Sequence, residues 1–105
     1  MSSHSKAFNK FFNDLDESIG SELQKVLLFG SVARGEETKD SDVDVLVVLE
    51  DKDLKEKVFE ISYDIMLEKD VYISPKVVST EEFEEMKNSS FMKEITEHGQ
   101  EYGTA

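Results

Sequence analysis

Residues Val43 to Leu49 read Val-Asp-Val-Leu-Val-Val-Leu. A run so rich in β-branched and aliphatic residues predicts a buried strand. One charged residue, Asp44, interrupts it, and Asp42 stands just before it. Side chains of a strand alternate between its two faces, so residues two apart share a face. The two carboxylates therefore stand side by side at the start of a buried strand. That pair is either a strand-start turn or a place to hold Mg²⁺, a hard cation that prefers oxygen ligands and often binds substrate phosphates as well.

What precedes the strand favours the second reading. Lys25 to Phe29 is a short apolar run, read as another buried strand, and it leads directly into Gly30-Ser31. Gly30 has no Cβ, so a phosphate can approach its backbone closely. Ser31 adds a hydroxyl, and backbone N–H groups in the turn that follows can face an anion. Val32 to Gly35 reads as a short helical turn, and Glu36 to Asp40 as a surface loop. Arg34 is a candidate phosphate contact, or else pairs with Glu36, Glu37 or Asp40. Ser41 is a candidate nucleotide contact, or else a turn residue that closes the loop.

The rest of the chain supplies a frame. Phe8, Phe11, Phe12, Leu15 and Ile19 recur at helical spacing and predict an amphipathic helix over roughly residues 5 to 19, stopped by Gly20. His4, ahead of that helix, reads as part of a frayed end. Leu54, Val58, Ile61 and Ile65 mark a second helix to about Lys69. Val71 to Val78 reads as a strand, and its Pro75 places it at a sheet edge or makes it irregular. Ser79 followed by Glu82 is a capping box that opens a helix through about Asn88. The acidic residues Glu81, Glu82, Glu84 and Glu85 form its solvated face. Phe91 to Glu97 predicts a last helix, ended at His98-Gly99, with Tyr102 folding back onto the body. Phe91, Met92 and Ile95 either close the core or form an interface. The order is α-β-turn-β-α-β-α-α, an α+β domain with a small mixed sheet and helices packed on one side.

With 105 residues the chain is one domain, 1–105. It carries 24 acidic and 12 basic residues, a formal net charge of −12. Such a surface repels polyanions, so nucleic-acid binding is not expected. It suits a basic protein partner, or a metal that brings an anionic ligand with it. No cysteine is present, which removes disulfides and thiolate chemistry and fits a reducing cytoplasm. No apolar run approaches the length of a membrane span, and no apolar leader stands at the N-terminus.

Gly30, Ser31, Ala33, Arg34 and Gly35, followed by Ser41, Asp42 and Asp44, resemble the Gly-Ser and Asp-x-Asp motifs of the DNA polymerase β-type nucleotidyltransferases. The resemblance is to their minimal bacterial and archaeal members. It implies the nucleotidyltransferase fold over roughly residues 5 to 98, with the specific residues confined to 30–44. It implies that Gly30 and Ser31 hold a nucleoside triphosphate such as ATP, and that Asp42 and Asp44 are catalytic metal ligands for Mg²⁺. The implied reaction transfers a nucleoside monophosphate to a hydroxyl, with pyrophosphate leaving. Many minimal members accompany a helical HEPN-domain protein as antitoxins that bind or nucleotidylate it, which implies such a partner here. A homo-oligomer is compatible with the same reading.

The family also places a third carboxylate on the strand after the second helix. Residues 71 to 78 contain no Asp or Glu, and Ser74 or Lys76 stands near the expected place. Asp70 precedes that strand, and Asp64 reads as a surface residue of the second helix. Three functions follow from these residues: an active nucleotidyltransferase, a catalytically impaired module that binds nucleotide or masks a partner, or the nucleotide-binding half of a two-part enzyme.

Overall fold

A computed structural model describes residues 3–103. The first helix, α1, spans Ser3–Ile19 and is followed by a 3₁₀ turn at Gly20–Glu22. Strand β1 (Leu23–Phe29) leads without a break into the one-turn helix α2 (Gly30–Ala33). Strand β2 is Val43–Leu49, and a second 3₁₀ turn at Lys52–Leu54 opens α3 (Lys55–Lys69). Then come β3 (Ile73–Ser79), α4 (Thr80–Met86), α5 (Ser90–His98) and β4 (Gln100–Gly103).

The four strands form one mixed sheet in the order β3-β2-β1-β4. β1 runs antiparallel to both β2 and β4, and β2 runs parallel to β3. The parallel pair needs a crossover, and α3 provides it. Pro75 lies in β3, which is an edge strand, as the missing N–H requires.

The sheet is covered on both faces, which corrects the expected one-sided packing. On one face α1 and α3 press Phe8, Phe11, Leu15, Val58, Ile61 and Ile65 against Val26, Leu28, Val45 and Val47. On the other, Phe83 of α4 and Met92 and Ile95 of α5 cover Leu27, Leu46, Val48 and Val78. The physical reason is visible in β2 itself. Its residues from Val45 to Leu49 are all buried, so neither face tolerates water. Met92 and Ile95 therefore close a core rather than await a partner.

Two further differences concern the chain ends. The segment after Gly99 is a fourth strand, beyond the folded-back Tyr102 that the sequence suggests. Tyr102 does pack back, its ring 4.7 Å from that of Phe8 and 5.8 Å from that of Phe12. At the other end α1 begins at Ser3, and His4 is buried rather than frayed. Its Nε2 donates to the Ser41 carbonyl at 2.8 Å.

Candidate nucleotide site

The β1–α2 junction fixes the site's geometry. Gly30 has φ +76° and Gly35 φ +70°, so both glycines that bracket α2 adopt the left-handed region that other residues avoid. At Gly30 a second constraint applies. A Cβ built there would overlap Oδ2 of Asp44 and lie 3.1 Å from its Cγ. The cause is the sheet register: Phe29 is paired with Asp44 across β1 and β2. The Asp44 carboxylate therefore rests against the bare Cα of Gly30. At Gly35 a Cβ would meet nothing within 4 Å, so that glycine serves backbone conformation alone.

Asp44 is half-buried and Asp42 exposed. Burial first, and then the negative charge of Asp42, push the Asp44 carboxyl above its ordinary value, while Arg34 pulls it back. Neither carboxylate receives a hydrogen bond among the described residues, and the Ser31 hydroxyl also has no protein partner there. Two adjacent carboxylates without donors, one of them partly desolvated, form a donor set that a hard divalent cation would relieve. No group of three His, Cys, Asp or Glu side chains converges on a metal position among the described residues. The residues thus fit Mg²⁺ as a cation shared with substrate phosphates, not one held by protein ligands alone.

The other residues singled out from sequence divide in two. Arg34 donates from Nε to Glu36 at 3.3 Å and reaches Glu94 of α5 at 3.7 Å. The Glu36 pairing was among those expected, and the Glu94 pairing was not. Ser41 takes the turn role: its Oγ accepts from the Thr38 backbone N–H at 2.9 Å and its own N–H donates to the Thr38 carbonyl at 3.0 Å. His4 is a neighbour of the site that sequence reasoning misses. Its bond to the Ser41 carbonyl ties α1 to the residue just before Asp42. A polar residue near a chain start gives no sign of this, because the contact spans 37 residues.

The register also settles which residue stands beside Asp44 on β3. It is Ser74, with Lys76 one step further along the same face, opposite Leu46. The Lys76 ammonium lies 5.4 Å from the centroid of Phe91, whose ring meets Phe29 edge-on at 5.3 Å. Asp70 ends α3 in the left-handed region, φ 55°, and lines a cleft of about 240 Å³ with Asp40, Asp42 and Tyr72.

Gly-Ser thus leaves β1 and Asp-x-Asp enters β2 on neighbouring strands of one mixed sheet. Residues 6–102 match the nucleotidyltransferase domain family, and the chain belongs to it. Two Methanocaldococcus jannaschii proteins, provisionally named protein adenylyltransferases, are similar along nearly their whole length. One is 36% identical over 94 residues, covering 90% of this chain and 92% of its own. The other is 32% identical over 95 residues, covering 88% and 91%. Among solved structures, a toxin–antitoxin complex with AMP-PNP has the same fold, with TM-score 0.61 and 24% identity over 91% of this chain and 73% of that one. A complex of tri-AMPylated Shewanella oneidensis HEPN toxin with its MNT antitoxin gives TM-score 0.55 and 21% identity, over 96% and 73%.

Proposed function

We propose that this domain is a Mg²⁺-dependent nucleotidyltransferase that moves an adenylyl group from ATP to a hydroxyl of a partner protein of the HEPN type, in the manner of an antitoxin. The observation that carries this reading is the Asp44 carboxylate seated on the bare Cα of Gly30 and close enough to Asp42 to feel its charge, with Ser31, whose hydroxyl has no partner among the described residues, next in the chain after Gly30. Family membership supports the reaction class. The provisional names of the archaeal relatives support a protein acceptor. The HEPN complex with the same fold supports the type of partner.

In this reading Gly30 and Ser31 receive the triphosphate, and Arg34 faces it from the end of α2. Ser41 acts through the loop it closes, which presents Asp42. Asp42 and Asp44 would hold Mg²⁺, which when bound neutralises phosphate charge and orients the triphosphate. The acceptor oxygen forms a bond to the α-phosphorus as the α–β bridging oxygen leaves with pyrophosphate. The hydroxyl proton passes to water. The catalytic contribution is positioning and charge stabilisation.

A second reading rests on Ser74. It occupies the position beside Asp44 where the family's third carboxylate is expected, and a serine is a poor substitute as a metal ligand or base. On that reading the domain binds nucleotide and masks its partner without turnover.

One experiment separates the two. The domain is incubated with labelled ATP, Mg²⁺ and its HEPN-type partner, and label on the partner is followed for the parent, for Asp42→Ala with Asp44→Ala, and for Ser74→Asp. Transfer by the parent that the double substitution abolishes supports the enzyme. Nucleotide binding without transfer, with transfer gained on Ser74→Asp, supports the masking module. Transfer unaffected by the double substitution sinks the proposed site.

A further inference from the structure

Helix α3 is apolar on two faces. Val58, Ile61 and Ile65 are buried against the sheet. Phe59, Tyr63 and Leu67 stand on the opposite side, 43%, 58% and 65% exposed. Their spacing of four residues makes them a continuous stripe along about 12 Å of helix. With Tyr72, 62% exposed, they are the large apolar side chains most open to solvent among the described residues. A helix apolar on both sides is normally covered on both, and a contiguous apolar patch of this kind marks an interaction surface.

The stripe has a charged border. Glu56, Glu60 and Asp64 repeat the same spacing one row over, and all three are exposed, with Glu60 also paired to Lys57 at 3.6 Å. The stripe also has a direction. It runs toward the C-terminal end of α3, where Asp70 and Tyr72 line one cleft with Asp42. A body lying along α3 would reach the edge of the nucleotide site.

We propose that the outward face of α3 is the docking surface for the acceptor protein, and that it seats an amphipathic helix whose apolar stripe is flanked by Lys or Arg. This rests on the preceding reading only in taking the acceptor to be a protein. Charge selects the occupant. A second copy would set a net charge of −12 against another −12, and an antiparallel two-fold pairing would oppose acidic row to acidic row. A basic helix meets the same row with opposite sign.

The test uses a synthetic helical peptide of roughly 20 residues, long enough to hold helical structure. It carries leucines at four-residue spacing between rows of arginine, and a control carries glutamate in place of the arginines. The expected result is that the arginine peptide binds and shifts the backbone amide signals of residues 56 to 67. Phe59→Ser with Leu67→Ser weakens it at least about tenfold. Glu56→Lys with Glu60→Lys also weakens it and flattens its salt dependence. All these side chains are exposed, and circular dichroism checks that the fold is retained. Equal binding of both peptides, shifts confined to other elements, or no binding by either overturns the proposal. So does a dimer in sedimentation equilibrium that Leu67→Ser disperses, which would assign the face to a second copy. No nucleotide is present in this assay, so its failure leaves adenylyl transfer standing, and failure of transfer leaves docking standing.

Discussion

At the level of single residues, the two glycines around α2 separate two reasons for choosing glycine. Both have φ near +70°, where a side chain costs roughly 1–2 kcal/mol. Only Gly30 also faces a carboxylate that a Cβ would displace. Gly35→Ala is expected to cost about 1 kcal/mol of stability and to leave nucleotide binding intact. Gly30→Ala is expected to cost more and to abolish nucleotide binding, because Asp44 must move. Chemical denaturation and calorimetry on the two variants check this, and equal behaviour would disprove the special role of Gly30. The spacing of the motif makes Gly30, Ser31, Asp42 and Asp44 legible in the sequence. Spacing cannot show that Gly30 makes room for Asp44, because that follows from the β1–β2 register. Nor can it show His4 beneath Ser41, a contact between residues far apart in the chain.

Asp44 carries a second consequence at this scale. Its carboxyl is raised in the folded state, by burial and then by Asp42. The unfolded chain therefore ionises Asp44 more easily than the fold does, and its contribution to stability is lost as pH rises through the folded value. Asp44→Asn is expected to raise the melting temperature at neutral pH while removing metal-dependent nucleotide binding. The gain should shrink as pH falls through the carboxylate range, since the parent's Asp44 is then neutral in both states. Thermal melts of both proteins across that range measure it. A destabilised Asp44→Asn at pH 7 would show instead that the carboxylate is compensated within the fold.

At the level of elements, α4 shows what local sequence determines. The Ser79–Glu82 capping box forms as its pattern predicts, with Glu82 N–H donating to Ser79 Oγ at 3.1 Å and Ser79 N–H donating to Glu82 Oε1 at 2.9 Å. The Ser79 backbone bond, and then Lys52, hold the Glu82 carboxyl below its ordinary value. That contribution is present above the ordinary carboxylate value and is lost as pH falls through the lowered folded one. Ser79→Ala is expected to cost about 1 kcal/mol at pH 7, and Glu82→Gln to flatten the acid limb of the stability curve. Urea unfolding at neutral and acid pH reads both. Elements with such local signals are legible from sequence: the helix periodicity, the cap, the β2 run and the edge position of Pro75. β4 is not, because Gln100 to Gly103 has no strand pattern and is ordered by pairing with β1. The second covered face is hidden as well. A continuous apolar run such as β2 is buried on both sides, yet the run does not say what buries it.

For the whole molecule the governing quantity is a net charge of −12 on 105 residues. On the proposed reading free ATP is an anion approaching an anion, and its arrival at two carboxylates that no described residue donates to would add repulsion at the point of contact. A divalent cation reverses the sign of that local interaction, so nucleotide and metal should bind as one unit. Ligands that bind only the fold stabilise it in proportion to the logarithm of one plus the ratio of free ligand to dissociation constant. ATP with Mg²⁺, at about one hundred times the dissociation constant, should add about 2.7 kcal/mol and raise the melting temperature by on the order of 10 °C. ATP with a chelator should leave it near the unliganded value, and Mg²⁺ alone should move it little, because two carboxylates are too few ligands to hold the ion firmly. Asp42→Asn with Asp44→Asn should erase the joint shift. Thermal melts in these four conditions decide the matter. A full shift with ATP and chelator would mean that the triphosphate is held by cationic side chains, and that the paired aspartates are not its anchor.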